Sequence, residues 1–340
     1  MARYSNEKHI SRSRFSNVFQ ARDDTGRSVA LKVTTPDEDK PPHCSRDELR
    51  ILKLLSSEDC PHIVHLIDSF ERDLEDLVMV FPYYPHTLTD LLRHNATQQG
   101  SRYNPYAAIS VSSMSRTSSE ESNSPQLSPR SRQWKSHLRP EAGCSIVKGL
   151  ASGLAFLHEK GIIHRDIKPA NIMFQDYDPQ RPIIIDLGIS YQYPDNFGKE
   201  QPDHKICDIA TSIYRAPELL FHLTNYSYGV DIWALGIVMT LIFSENVKPA
   251  LDAEDAVDFK VMHMIFESFG TPTLETWPEA KESRTFSNLQ LESSDSKPVE
   301  SLLPRAPTYI QEIFKDMMVF ESSKRLSSLD ILTRIQQHGG

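Results

Sequence analysis

His164-Arg165-Asp166-Ile167-Lys168-Pro169-Ala170-Asn171 is the stretch on which the reading of this chain turns. It packs a candidate base (Asp166), a cation (Lys168) and a candidate metal ligand (Asn171) into eight residues. Twenty residues past Asp166, the apolar run Ile183-Ile184-Ile185 leads into Asp186-Leu187-Gly188 and brings a second carboxylate on a short strand. Each of these side chains alone would pass for an ordinary solvated loop residue. Their order and spacing set them apart.

Outward from that stretch the chain reads as alternating elements. Residues 8–34 give strand, turn and strand, with Asp24-Thr25-Gly26 as the turn and Ser28-Val29-Ala30-Leu31-Lys32-Val33 alternating after it. Leu49, Ile51, Leu52 and Leu55 place an amphipathic helix over Ser45 to Leu55, with Glu48 on it 16 residues after Lys32. Ile63-Val64-His65-Leu66-Ile67 and Leu77-Val78-Met79-Val80-Phe81 read as two further apolar strands, and Pro82-Tyr83-Tyr84 follows. Ile146, Leu150, Leu154 and Leu157 suit a buried helix leading into His164. Downstream lie Tyr214-Arg215-Ala216-Pro217-Glu218, Asp231-Ile232-Trp233-Ala234-Leu235-Gly236, Phe269-Gly270-Thr271-Pro272 with Trp277-Pro278, and Ser323-Lys324-Arg325-Leu326.

Taken together these motifs resemble a protein kinase. The opening stretch matches the kinase catalytic loop, Asp186-Leu187-Gly188 a variant of D-F-G, and Val29-Ala30-Leu31-Lys32 the V-A-I-K motif. The resemblance implies an α+β, bilobal protein kinase fold. A small β-rich N-lobe with one αC helix would occupy residues 1–84, and a larger, mainly α-helical C-lobe residues 85–340. It also implies roles. Asp166 would accept or orient the substrate hydroxyl proton, Lys168 would stabilise the transferring phosphoryl group, and Thr211 would reach both. Lys32, paired with Glu48, would reach the ATP phosphates, and Asn171 and Asp186 would hold Mg²⁺. Such an arrangement suits phosphoryl transfer, which needs positioning and charge neutralisation more than covalent chemistry. The adenine would lie among Ile10, Val18, Ala30, Phe81 and Met173, with the Pro82 carbonyl accepting from its amine and the Tyr84 N–H donating to a ring nitrogen. Asp231 would tether the catalytic loop, and Arg325 would pair with Glu218.

Three departures narrow the reading. The glycine-rich loop should fall at Ile10 to Val18, but Ser11, Ser13 and Ser16 replace its glycines. Serine crowds the approach to phosphates and resists positive φ, so the loop either covers ATP with altered affinity or marks a pseudokinase. Pro42-His43-Cys44-Ser45-Arg46-Asp47-Glu48 does not match the cyclin-contact sequence of cyclin-dependent kinases. The position of their activating phospho-threonine is Ile206, which leaves Arg165 without its usual phosphate; Asp203 or Asp208 would be a substitute anion. With Tyr214-Arg215-Ala216-Pro217-Glu218 and the Gly270-to-Pro278 run, this combination resembles the fungal single-subunit kinases that activate cyclin-dependent kinases. That resemblance implies an ATP-dependent Ser/Thr kinase that phosphorylates the T-loop threonine of cyclin-dependent kinases as a monomer, without a cyclin and without T-loop phosphorylation of its own. The alternatives are a non-catalytic scaffold and a cyclin-dependent kinase with a divergent cyclin contact.

Composition sets the frame. A chain of 340 residues with 39% hydrophobic side chains has enough to bury one large core or two adjoining ones. A formal charge of −9 argues against nucleic acid as a partner. Cys44, Cys60, Cys144 and Cys207 are scattered without a C-x-x-C pair, which suits free thiols in a reducing compartment. No signal peptide opens the chain and the apolar run Ile232 to Phe243 is too short to span a bilayer, so a soluble protein of the cytoplasm or nucleus, with no membrane partner, is expected. Residues 97–140 carry six Lys/Arg against two Asp/Glu, and Ser101 to Ser136 holds 12 serines. That segment reads as a disordered insert in the C-lobe.

Overall fold

The computed structural model describes residues 3–73, 75–99, 133–253, 256–290 and 292–338. Its N-terminal part is a five-stranded antiparallel sheet of β1 (Ser5–Arg12), β2 (Asn17–Arg22), β3 (Ser28–Thr34), β4 (Asp68–Arg72) and β5 (Asp76–Pro82), in the order β1-β2-β3-β5-β4. Cross-strand partners share a face of a sheet, and side chains alternate faces along each strand. Val18 lies opposite Lys32, Lys32 opposite Met79, and Ala30 opposite Phe81, so these five line one face. The alternate residues Val29, Leu31, Val33, Val78 and Val80 close over Ala21 and Tyr4 in a small core of their own on the other face. The period-2 pattern of β3 thus decides which face carries Lys32.

Helix α1 (Ser45–Leu55) packs Ile51, Leu52 and Leu55 into the main core, together with Met79 and Phe81. Its first turn holds Asp47 and Glu48, the favourable charge at a helix N-terminus. Cys44 gives no side-chain cap; Asp39 Oδ2 instead accepts from Ser45 N–H at 2.7 Å.

Ile63–Ile67 is not a strand, contrary to its apolar run. Ile63 makes only an isolated bridge to Ile184, and the strand begins at Asp68. The first half of this stretch bonds elsewhere: Val64 N–H donates to Ile184 O at 2.9 Å, and Ile184 N–H donates to His62 O at 2.8 Å, while Ile67 N–H reaches Val80 O of the sheet at 2.8 Å. The stretch joins the sheet to the helical part, so its apolar side chains fill the seam between them.

The helical part contains α2 (Leu88–His94), α3 (Pro140–Glu159), α4 (Pro217–Leu220), α5 (Gly229–Ile242), α6 (Asp258–Phe269), α7 (Arg284–Asn288), α8 (Val299–Leu302), α9 (Thr308–Met317) and α10 (Ser328–His338). Every residue of α5 from Val230 to Ile242 is buried, as an all-round apolar helix requires. At Gly236 a Cβ would fall 2.1 Å from Met318 Sδ, so the Met318 side chain packs against the bare α5 backbone and would have to move for a larger residue. Among the described residues no helix is long and apolar enough to cross a membrane. Short strands β6 (His86–Thr87), β9 (Ile162–Ile163), β10 (Ile172–Phe174), β11 (Ile183–Ile184) and β12 (Tyr191–Gln192) frame the 164–171 stretch.

Both flanks of the insert expected at 97–140 are regular structure. β7 (Ala96–Gln99) pairs antiparallel with β8 (Gln133–Ser136), and α3 already starts at Pro140. Ser136 N–H donates to Glu245 O at 2.7 Å and His137 N–H to Asn95 O at 2.7 Å, which anchors the stem. A reading from composition missed this because the stem residues are polar. Residues 100–132 lie outside the described residues.

Candidate active site

β9 delivers the chain into the loop 164–168, and a single 3-10 turn at Pro169–Asn171 returns it to β10. Asp231, buried on α5, holds this loop from beneath. Its Oδ2 accepts from His164 N–H at 2.8 Å and from His158 Nε2 at 3.0 Å, and its Oδ1 accepts from Arg165 N–H at 2.9 Å. Burial alone would raise the Asp231 carboxyl; the bond from His158 and the neighbouring donors outweigh it, and the pKa is lowered. Arg165 sits at φ 71° and Asp186 at φ 66°, left-handed conformations that cost a non-glycine residue energy and need support from their surroundings.

Two clusters result. In the first, Lys32 Nζ lies 2.7 Å from Glu48 Oε1, 2.8 Å from Oε2 and 2.7 Å from Asp186 Oδ1. Burial would favour the neutral amine, but the two carboxylates hold the Lys32 pKa above its ordinary value. Burial likewise opposes the charge on Asp186, yet Lys32 keeps that carboxyl below the usual range. Burial pushes the Glu48 carboxyl up, against the pull of Lys32. In the second cluster, Lys168 Nζ is 2.7 Å from Asp166 Oδ2 and donates to Thr211 Oγ1 at 2.8 Å, while Thr211 Oγ1 donates to Asp166 Oδ1 at 2.9 Å. Asn171 Nδ2 donates to Asp166 Oδ2 at 2.9 Å and to the Asp166 carbonyl at 2.9 Å. Among the described residues no hydrogen bond reaches Asp186 Oδ2 or Asn171 Oδ1. One carboxylate and one amide oxygen are a hard donor pair that fits Mg²⁺, which completes its shell with phosphates and water.

Of the residues expected to line an adenine pocket, Val18, Ala30 and Phe81 fall on the same face of the sheet as Lys32, whereas Pro82 pairs with Val29 of the other face. Val18 and Ala30 come from β2 and β3, Phe81 and Pro82 end β5, and half-buried Tyr84 packs against the main core. Met173 comes from β10, where it pairs with Thr87 and Ile183. Ile10, in the bulge between the His9–Phe19 and Ser11–Val18 pairs, is 40% exposed.

The serine-substituted loop is a turn between β1 and β2. Ser13 N–H donates to Ser16 O at 2.8 Å, and Ser13 Oγ accepts from Ser16 N–H at 3.1 Å and Phe15 N–H at 3.3 Å. No residue from Ile10 to Val18 has positive φ, so the turn makes no use of glycine's freedom.

The anion facing Arg165 is Glu200, not Asp203 or Asp208, both of which are exposed. Arg165 Nη1 and Nη2 reach Glu200 Oε1 and Oε2, each at 2.9 Å, and both side chains are buried. Nothing in the sequence singles out Glu200, one acidic residue in a polar stretch; the chain's path over 35 residues brings it to Arg165. At the far end of this segment, Arg325 Nη1 and Nη2 pair with Glu218 at 2.6 and 2.8 Å.

A sheet with a helix-anchored lysine, packed on a helical body that presents Asp166 and Asp186, defines a phosphotransferase of the kinase type. The model of the protein kinase domain matches residues 119–338, and the chain belongs to the protein kinase family, in its cyclin-dependent-kinase-like group. It is 32% identical to "Serine/threonine-protein kinase CAK1" of Saccharomyces cerevisiae over 74% of this chain and 71% of that one. It is 27% identical to "Cyclin-dependent kinase 20" of Danio rerio over 98% of this chain and 82% of that one. In fold it is similar to a chain in the crystal structure of the yeast RNA Pol II CTD kinase CTDK-1 complex, with a TM-score of 0.69, 22% identity and coverage of 96% and 91%. The protein is a serine/threonine kinase enzyme, which sets the scaffold alternative aside.

Proposed function

We propose that this kinase uses Mg²⁺ and ATP to phosphorylate the T-loop threonine of cyclin-dependent kinases, as a monomer that needs neither a cyclin nor a phosphate on its own activation segment. The observation that carries the reading is that the Lys32–Glu48–Asp186 and Asp166–Thr211–Lys168 clusters are both complete within one chain, with a carboxylate opposite Arg165. In kinases the lysine–glutamate pair is the element that activation controls. The substrate class follows from the likeness to the single-subunit kinases that activate cyclin-dependent kinases.

Each residue then has a task. Asp166, fixed by Asn171 and Thr211, takes the proton of the attacking hydroxyl, and Thr211 sets where that hydroxyl enters. Lys168, beside Asp166, offsets charge on the transferring group. Lys32, kept protonated by Glu48 and Asp186, orients phosphate oxygens. Asp186 Oδ2 and Asn171 Oδ1 would hold Mg²⁺, which when bound neutralises phosphate charge.

The test incubates the purified chain alone with an unphosphorylated cyclin-dependent kinase and maps the product by mass spectrometry. Phosphate on the T-loop threonine, lost with Asp186→Ala, is the expected result. Transfer only to other residues, or only after adding a cyclin, overturns the reading.

A further inference from the structure

Lys199 and Glu200 are neighbours in sequence, but their side chains serve opposite halves of the active site. Glu200 accepts from Arg165 Nη1 and Nη2, from Asn196 Nδ2 at 2.8 Å and from Ile206 N–H at 2.9 Å. Four donors on one carboxylate fill its acceptor capacity. Burial opposes the charge on Glu200, but the Arg165 hydrogen bonds outweigh it and its pKa is lowered. Arg165 is also held between rings, 4.8 Å from the Tyr191 centroid and 5.5 Å from that of Tyr226. Its left-handed backbone immediately precedes Asp166, so fixing the guanidinium fixes the turn that aims the base.

Lys199 reaches the other way. Its ammonium pairs with Asp47 in the first turn of α1 and donates to Cys44 Sγ at 2.9 Å. Asp47 adjoins Glu48, the partner of Lys32. The same edge of α1 is joined to this segment twice more, by Cys44 N–H to Gly188 O at 3.2 Å and by Arg50 over the Phe197 ring at 5.4 Å.

We propose that Lys199-Glu200 is a built-in clamp, in which Glu200 sets the catalytic loop through Arg165 and Lys199 sets α1 through Asp47. The inference rests on the reading that the chain acts without a cyclin or an activation-segment phosphate, and it names the positioning residues that replace them. Kinase activation loops are commonly ordered by a new arginine–phosphate pair. Here Ile206 offers no hydroxyl, and its backbone N–H instead donates to the carboxylate that occupies the arginine.

The experiment uses the full chain after phosphatase treatment and has two readouts: kcat on a generic basic protein, and hydrogen exchange of the α1 amides. Lys199 is half exposed, so Lys199→Glu folds. Lys199→Glu is expected to speed exchange at residues 45–50 and to lower kcat, each about tenfold, as loss of a charged hydrogen bond implies. The Lys199→Glu/Asp47→Lys swap restores both. Glu200→Gln lowers kcat about tenfold, and Arg165→Gln/Glu200→Gln falls no further than the worse single variant. Wild-type exchange and kcat in Lys199→Glu, a defect that the swap leaves unrepaired, or full kcat in Glu200→Gln would overturn the clamp. The assignment of substrate can fail separately: a wild-type chain that labels the basic protein but no cyclin-dependent kinase leaves the clamp standing, and α1 exchange reports it without any turnover.

Discussion

Asp231→Asn tests how the catalytic loop is held. The substitution keeps the shape of a side chain that is 1% exposed and replaces one acceptor oxygen with a donor NH₂. Asp231 receives three hydrogen bonds, two on Oδ2 and one on Oδ1. The less costly orientation of the amide keeps oxygen toward His164 and His158 and turns NH₂ toward Arg165 N–H. That N–H is then buried without an acceptor, which costs about 1–3 kcal/mol, and the two surviving bonds lose their charge assistance. We expect a loss of about 3 kcal/mol in total. Urea unfolding should show a lower midpoint with an unchanged slope. Because the Arg165 turn precedes Asp166, kcat should also fall about a hundredfold while the nucleotide KM changes little. Stability within about 0.5 kcal/mol of wild type, or an intact kcat, would refute the assignment of Asp231 as the support of the loop.

Lys32→Met leaves Glu48, 3% exposed, without its cation, and should cost about 3 kcal/mol in unfolding free energy together with nearly all phosphoryl transfer. Replacing residues 100–132 by Asn-Gly closes the Gln99–Gln133 pair with a two-residue turn, and should leave kcat within about twofold and the melting curve in place. Lys205 is 2% exposed, and burial, aided by repulsion from Arg165, lowers its pKa from 10.5 to about 8. The unfolded chain therefore binds more protons between those values, and this group makes stability rise as pH increases from about 8 toward 10.5. Lys205→Met should abolish that rise and add about 1 kcal/mol at neutral pH, as measured by denaturant unfolding across the pH range.

Much of the site was legible because local rules decide it. The alternation of Val29-Ala30-Leu31-Lys32 puts Lys32 on the inner face, and the periodicity of Ser45 to Leu55 turns Ile51, Leu52 and Leu55 into the core. What failed depends on tertiary path. Ile63 to Ile67 is as apolar as a strand, but its first half bonds to β11, and only Ile67 N–H, donating to Val80 O, reaches the sheet. The polar stem at 96–99 and 133–136 has no apolar pattern to announce it; it is recognisable only from its pairing. Asp203 and Asp208 were better candidates for Arg165 by proximity to Ile206. Glu200 takes the place because its segment folds back under Arg165, with Ile206 N–H and Asn196 completing its shell.

Self-sufficient catalysis by the single chain is what the proposed function stands on. The most direct measurement is kcat on a basic protein for the chain purified as a monomer, before and after exhaustive phosphatase treatment, with nothing added but Mg²⁺ and ATP. The same turnover is expected in both samples, and none with Asp186→Ala. Turnover that vanishes with the phosphatase, or that appears only when a second protein is supplied, would contradict it.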